Sequence, residues 1–280
     1  MRKIDCLILS TGRAASTSLY HYIDKRASVG LPWNKEPHTL IDVARYPKRS
    51  RVLDEIYIAD LDRYEALYSD SGLMLDASVG YFFYIRELVE TLEKLQQNPR
   101  VVFLYREPVS RAASLFNELR KKEFERNGTL EEALSEKKPA GLWWENYYDN
   151  VPYFDHFVLM KSYFRDVLPI SYAAVAENPA RVVDTVMEFL GVDATTEIEY
   201  IKYNSSARAG VAMLGKRWPH LRRLLPRPIR QGVASIYAAL YRGPASRPSD
   251  IQRYLGYSID QYRLFKEYLT RERLEVNHQN

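Results

Sequence analysis

Val101-Val-Phe-Leu-Tyr-Arg-Glu-Pro-Val-Ser-Arg-Ala-Ala-Ser114 decides how the chain is read. Its first five residues are aliphatic, β-branched or aromatic with no polar alternation, the pattern of a strand buried on both faces in a parallel sheet. Asn98-Pro99 stops whatever precedes it. Pro108 suits the first turn of a helix, where a missing N–H costs nothing. Ala112, Leu115, Phe116 and Leu119 then recur at helical spacing. Arg106 thus leaves the carboxyl end of a buried strand, and Ser114 lies about two turns along the next helix. Open α/β sheets bind ligands at that end. A guanidinium fork and a hydroxyl converging there suit a phosphate. The same residues also suit an arginine capping a strand edge and a serine packed on a helix.

The pattern repeats towards the N-terminus. Ile4–Leu9 reads as a first buried strand, followed by the small, polar Ser10-Thr-Gly-Arg-Ala-Ala-Ser-Thr17, after which Leu19, Tyr22 and Ile23 take up helical spacing. A strand, a tight loop and a helix start aim backbone N–H groups and a positive helix end at an anion. Gly12 permits the turn, Arg13 supplies a fixed charge, and Ser16 or Thr17 offers a hydroxyl while capping the helix. An ordinary strand–helix turn with a surface arginine fits these residues as well. No Gly-Lys-Ser/Thr closes the loop, which argues against a Walker A ATPase or kinase.

Lys35-Glu-Pro-His38 follows a turn-like Gly30-Leu-Pro-Trp33. Glu36 is a general base if the fold brings it near the first loop, and solvated surface otherwise. Arg45–Ser71 has only weak helical periodicity. Leu73-Met-Leu75 reads as a short buried strand leading through Asp76–Tyr81 into a helix faced by Phe82, Ile85, Leu88, Val89, Leu92 and Leu95. The helix after Ser114 is expected to run to about Arg126 and stop at Asn127-Gly128. Thr129-Leu-Glu-Glu132 resembles a capping box. Trp143–Phe164 is an aromatic helical region broken near Pro152, Ile170–Val175 a further strand, and Pro179–Leu190 a helix stopped by Gly191. Ile251–Leu274 closes the chain with one or two helices. Repeated strand–helix alternation predicts a parallel sheet with helices on both faces.

Bulk composition sets wider limits. Of 280 residues, 46% are hydrophobic and 27% charged, enough for a substantial core in a globular chain. Cys6 is the only cysteine, so no intramolecular disulfide forms and a reducing, cytoplasmic setting is expected. The apolar run Cys6–Leu9 is too short for a signal-peptide core, and no stretch approaches the ~18 apolar residues of a membrane span. The histidines at 21, 38, 156, 220 and 278 show no metal-ligand spacing, and no metal site is expected. Net charge is +4, but residues 200–249 hold ten Lys/Arg, five prolines and no Asp or Glu, so the rest of the chain nets −6.

Taken together, these motifs resemble the sulfotransferases that use 3′-phosphoadenosine 5′-phosphosulfate (PAPS), in their carbohydrate (Golgi-type) and bacterial branches. Thr11–Leu19 resembles the 5′-phosphosulfate loop. Arg106–Ser114 matches the Arg-x-Pro-x-x-Arg-x-x-Ser pattern of the 3′-phosphate site, and Lys35-Glu-Pro-His38 resembles the Lys-Glu-x-His segment whose glutamate is the base. Asn204-Ser-Ser-x-Arg208 is similar to the segment before a basic C-terminal region in bacterial members. The resemblance implies a three-layer α/β domain with P-loop-like nucleotide-binding topology, PAPS as donor and 3′-phosphoadenosine 5′-phosphate (PAP) as product. It implies one domain over 1–280: an α/β core at 1–199, the basic, proline-containing segment at 200–249, and C-terminal helices at 250–280.

On this resemblance Gly12, Arg13, Ala14, Ala15, Ser16, Thr17, Arg106, Ser114 and Arg208 hold the nucleotide. Glu36, Arg13 and His38 are the catalytic group, without metal. The acceptor is a free hydroxyl on a saccharide, glycolipid or small natural product. Two positions depart from the family pattern: Arg13 stands where a lysine is usual, and Ala77 where carbohydrate members often carry one. Two other classes stay open: a nucleotide-dependent phosphoryl-transfer enzyme, and a non-catalytic protein binding nucleic acid or membrane through 200–249.

Overall fold

The computed structural model describes residues 2–27, 31–32, 34–42, 57–68, 73–121, 125–135, 151–193, 197–200 and 251–274. Four strands form its frame: β1 (Cys6–Ser10), β2 (Leu75–Asp76), β3 (Arg100–Tyr105) and β4 (Val167–Ser171), in the order β2-β1-β3-β4. Every pairing is parallel, with Leu7 beside both Asp76 and Val101, and Val101 beside Val167. The carboxyl ends of β1 and β3 therefore open side by side.

The helices are α1 (Ser16–Ala27), α2 (Leu61–Glu65), α3 (Ile85–Lys94), α4 (Pro108–Lys121), α5 (Leu130–Ser135), α6 (Tyr153–Tyr163), α7 (Tyr172–Glu177), α8 (Pro179–Leu190) and α9 (Gly256–Arg271). Successive strand side chains point to opposite faces. Leu7, Leu9, Val101, Phe103 and Tyr105 pack against α3, α6 and α9 through Leu88, Leu92, Phe157, Met160 and Phe265. Cys6, Ile8, Val102 and Leu104 pack against α1 and α8 through Leu19, Ile23, Val183 and Val186. Both sheet faces are covered, which is why these strands read as unbroken apolar runs. The result is the three-layer α/β architecture that the strand–helix alternation implies.

Local signals explain the element ends. Glu107 caps α4, its carboxylate accepting from Val109 N at 2.9 Å and Ser110 N at 2.7 Å, just ahead of the helix's first residue, Pro108. Thr129 Oγ1 accepts from Glu132 N at 3.2 Å while Glu132 Oε2 accepts from Thr129 N at 3.1 Å, a reciprocal capping box. Pro179 begins α8 and Gly191, at φ 67°, ends it in the left-handed conformation.

Strands β1 and β2 each lie one or two residues later than Ile4–Leu9 and Leu73–Leu75, and two further elements depart more from the sequence reading. The last strand ends at Ser171 instead of continuing to Val175. Ser171 Oγ accepts from Ala174 N at 3.1 Å and starts α7 there. Pro169 sits within β4, which a strand at the edge of the described sheet tolerates. Helix α4 stops at Lys121, short of Arg126, and Glu125 N reaches back to Leu119 O at 3.2 Å. Residues 201–250 lie outside the described residues, and with them Arg208 and nearly all of the basic segment.

Candidate active site

The loop after β1 is wound tightly. Gly12, Arg13 and Ala15 have φ of 78°, 58° and 70°. A Cβ on Gly12 would meet nothing nearer than Val79 Cγ1 at 3.8 Å, so the dihedral and not crowding calls for glycine. For Arg13 and Ala15 the left-handed region costs roughly 1–2 kcal/mol each, which the surroundings must offset. Several braces do so. Thr11 N donates to Leu104 O at 3.0 Å, Gly12 N to Ser10 Oγ at 3.1 Å, and Arg106 Nη1 to Arg13 O at 3.0 Å. Arg111, only 1% exposed, donates from Nε to Thr11 O. The loop feeds directly into Ser16, the first residue of α1, where a helix leaves N–H groups without intrahelical partners. Ala14 is fully buried in the core.

The β3–α4 junction lies against this loop. Arg13 Nε donates to Ser114 Oγ at 3.2 Å, and Arg13 Nη2 stands 3.5 Å from Glu118 Oε2. Arg106 N donates to Thr11 Oγ1 at 3.3 Å, and the Arg106 guanidinium lies 4.0 Å over the Tyr172 ring. Tyr153 OH donates to Arg106 O at 2.6 Å. Two guanidinium groups and a hydroxyl thus meet beside a helix N-terminus, a donor set matched to phosphate oxygens. Arg111, Tyr153 and Tyr172 escaped assignment from sequence. Arg111 lay within the motif already quoted, whereas the two tyrosines come from α6 and α7 and carry no local signal.

Glu36 and His38 sit on a neighbouring segment built on β2. Asp76, fully buried at the end of β2, accepts from Tyr64 OH at 3.0 Å, Tyr81 OH at 2.8 Å and Ser78 Oγ at 2.6 Å. Burial raises its pKa, and the bonds from Ser78 and Tyr81 pull against that rise. Ser78 Oγ in turn accepts from His38 N at 3.0 Å, pinning a residue whose φ of 54° needs support. Glu36 pairs with Lys35 and, at 3.6 Å, with His38 Nε2, rather than with Arg13. Burial pushes the Glu36 pKa up, but Lys35 and His38 more than reverse this and bring it down to about 2. The two groups of site residues adjoin through the 77–79 turn: Ala77 N donates to Lys35 O at 3.2 Å, and Val79 packs beside Gly12. Arg208 lies outside the described residues. Among the described residues no helix is long and apolar enough to cross a membrane.

The chain is similar to several solved structures. A sulfotransferase from Alicyclobacillus acidocaldarius is 21% identical, with a TM-score of 0.61 over 80% of this chain and 96% of that one. The sulfotransferase domain from the curacin biosynthetic pathway is 16% identical, with a TM-score of 0.47 over 85% of this chain and 98% of that one. Mouse sulfotransferase SULT7A1, solved with PAP, is 19% identical, with a TM-score of 0.41 over 70% of this chain and 60% of that one. At such identities the likeness concerns fold alone, and it rests on the first of the three. No curated protein matches the chain. The model of the sulfotransferase domain family, by contrast, matches residues 7–209, a span running from β1 through both loops and past β4. A match over that much of the chain decides the family, and this protein belongs to the sulfotransferases.

Proposed function

We propose that the protein transfers a sulfuryl group from PAPS to a hydroxyl of a saccharide or glycolipid, with Glu36 as general base. The observation that carries this reading is the junction of Arg13, Ser114 and Arg106 across the ends of β1 and β3. Arg106 and Ser114 would hold the 3′-phosphate. The N–H groups of 12–17, with the Ser16 and Thr17 hydroxyls, would hold the 5′-phosphosulfate. Bound there, PAPS supplies the sulfuryl group, which leaves PAP behind as a sulfate ester forms. The chain's own residues do the rest. Glu36 accepts the proton that the acceptor hydroxyl loses as its oxygen bonds to sulfur and the bond from sulfur to the bridging oxygen breaks. Arg13 offsets negative charge growing on that bridging oxygen, an effect worth ~3–4 kcal/mol for a well-placed donor. His38, 3.6 Å from Glu36, orients the carboxylate.

Thermal-shift titration with PAP, ATP and AMP tests the donor assignment, on the wild type and on Arg106→Ala. PAP at a hundred times its Kd should add about 2.7 kcal/mol of stability. Stabilisation by PAP and not by ATP or AMP, lost in Arg106→Ala, is the expected result. Stabilisation by ATP instead would move the reading to phosphoryl transfer. With the donor site in hand, acceptor screening against saccharides and glycolipids, with Glu36→Gln as the inactive control, tests the remainder.

A further inference from the structure

The Lys35–Glu36 pair is at odds with a base free to work. Lys35 Nζ donates to Glu36 Oε1 and, at 3.0 Å, to Ala77 O, and the Glu36 side chain is 25% exposed. A carboxylate engaged by an ammonium, with its pKa held down to about 2, gains little from a hydroxyl proton near neutrality. Something must remove the ammonium before Glu36 can act.

The position of Lys35 says what that something is. Its ammonium rests on the carbonyl of Ala77, at the start of the 77–79 turn whose Val79 packs beside Gly12 in the anion-binding loop. Of the other groups nearby, His38 also faces Glu36, its Nε2 3.6 Å from Oε2, but its place is fixed by the bond from its backbone N to Ser78. Asp76 is buried among Ser78, Tyr64 and Tyr81, and Arg13 is tied to Ser114 and Glu118. His21 on α1 senses the charge of Lys35, although burial is the larger cause of its lowered pKa. Lysine is a point charge on a flexible four-carbon stem and can change partners without backbone movement. A sulfonate arriving in the loop offers three acceptor oxygens to an ammonium with three N–H donors.

We propose that Lys35 reads the transferable sulfonate of the donor, exchanging Glu36 for it, so that Glu36 becomes a competent base only when a sulfuryl group is in place. The inference rests on the PAPS reading above and adds to it a residue that couples donor binding to base strength. It also explains why the ammonium and the base are adjacent in sequence: one short segment carries both the sensor and the group it releases.

PAP and PAPS differ by the sulfonate, so their relative affinity isolates the effect. Calorimetric titration of the full chain with each is to be made on wild type, Lys35→Met, Glu36→Gln and the double variant. Lys35→Met should weaken PAPS about tenfold and PAP less than about twofold. Glu36→Gln, which leaves Lys35 uncontested, should tighten PAPS several-fold with PAP unchanged, and the double variant should lose that gain. Wild type binding both ligands, with every variant treating them alike, overturns the proposal and leaves the donor site standing. Failure of wild type to bind PAP overturns the donor reading and this inference with it. Should Lys35→Met fail to fold, Glu36→Gln decides alone, because it keeps the lysine.

Discussion

Arg13 Nε donates to Ser114 Oγ at 3.2 Å, a bond between residues 101 apart in the chain. It exists because β1 and β3 are parallel neighbours, so the loop leaving one opens beside the helix leaving the other. Each side chain is a proposed ligand group, and each occupies the other in its absence. Ser114→Ala should therefore cost little in the free protein, about 1 kcal/mol or less, because Arg13 keeps Glu118. The same change should weaken PAP about tenfold by calorimetry, because an acceptor oxygen loses its hydroxyl. Unchanged PAP affinity would remove Ser114 from the site.

Arg111 acts on the same loop from beneath. Its guanidinium is buried, 5.9 Å from the Phe83 ring centroid, and donates to the Thr11 carbonyl. Arg111→Met keeps most of the packing and loses the donor, leaving that carbonyl short of a charge-assisted bond of roughly 1.5–3 kcal/mol. Urea denaturation should register the loss. Because Thr11 precedes the three left-handed residues, PAP affinity should fall as well. A stability loss with PAP affinity intact would make Arg111 a core residue with no bearing on the loop.

Glu36 makes stability depend on pH in a definite direction. Its folded pKa, about 2, lies below the ordinary 4.5, so the folded state holds its proton less tightly than the unfolded chain. The stabilisation is complete above 4.5 and is lost as pH falls from 4.5 towards 2. Asp76 runs the other way: burial raises its pKa above 3.8, so its contribution turns unfavourable as pH rises past that value. The difference in Tm between wild type and Glu36→Gln isolates the first effect. It should shrink steadily below pH 4.5, and a constant difference from pH 7 to 3 would contradict the ion pair.

How much of this was legible in the sequence depends on the range over which each signal acts. The β3–α4 unit was readable because burial on both faces, Pro108 and helical spacing all act within about twenty residues. The fourth strand was misplaced for the same reason. Pro169 spoke against a strand starting early and Val175 for one ending late, while the decisive Ser171 cap is a single hydroxyl. The Asp76 network was illegible, since its partners come from α2, the 78–81 turn and, through Ser78, His38. Lys35 was visible but had no assigned part, because its contact with Ala77 spans 42 residues and exists only once β2 is in the sheet.

Cys6 allows the core and the site to be measured together. It is fully buried on β1, between β2 and β3, and burial pushes its thiol up to about 12 despite a backbone hydrogen bond that lowers it. A thiol that is both neutral and inaccessible should not react with a disulfide reagent at pH 8, and should give one equivalent in urea. Because β1 lies inside the sheet, exposing Cys6 requires pulling that strand from both neighbours, so slow native labelling reports a large-scale opening. Any ligand that binds only the closed form must slow it by the same factor by which it stabilises the fold. PAP at a hundred times its Kd should thus slow labelling about a hundredfold. Labelling slowed by PAP in wild type and not in Arg106→Ala would tie the donor site to the strand from which its loop departs. Fast labelling without denaturant would mean that β1 frays locally and that its burial overstates its stability.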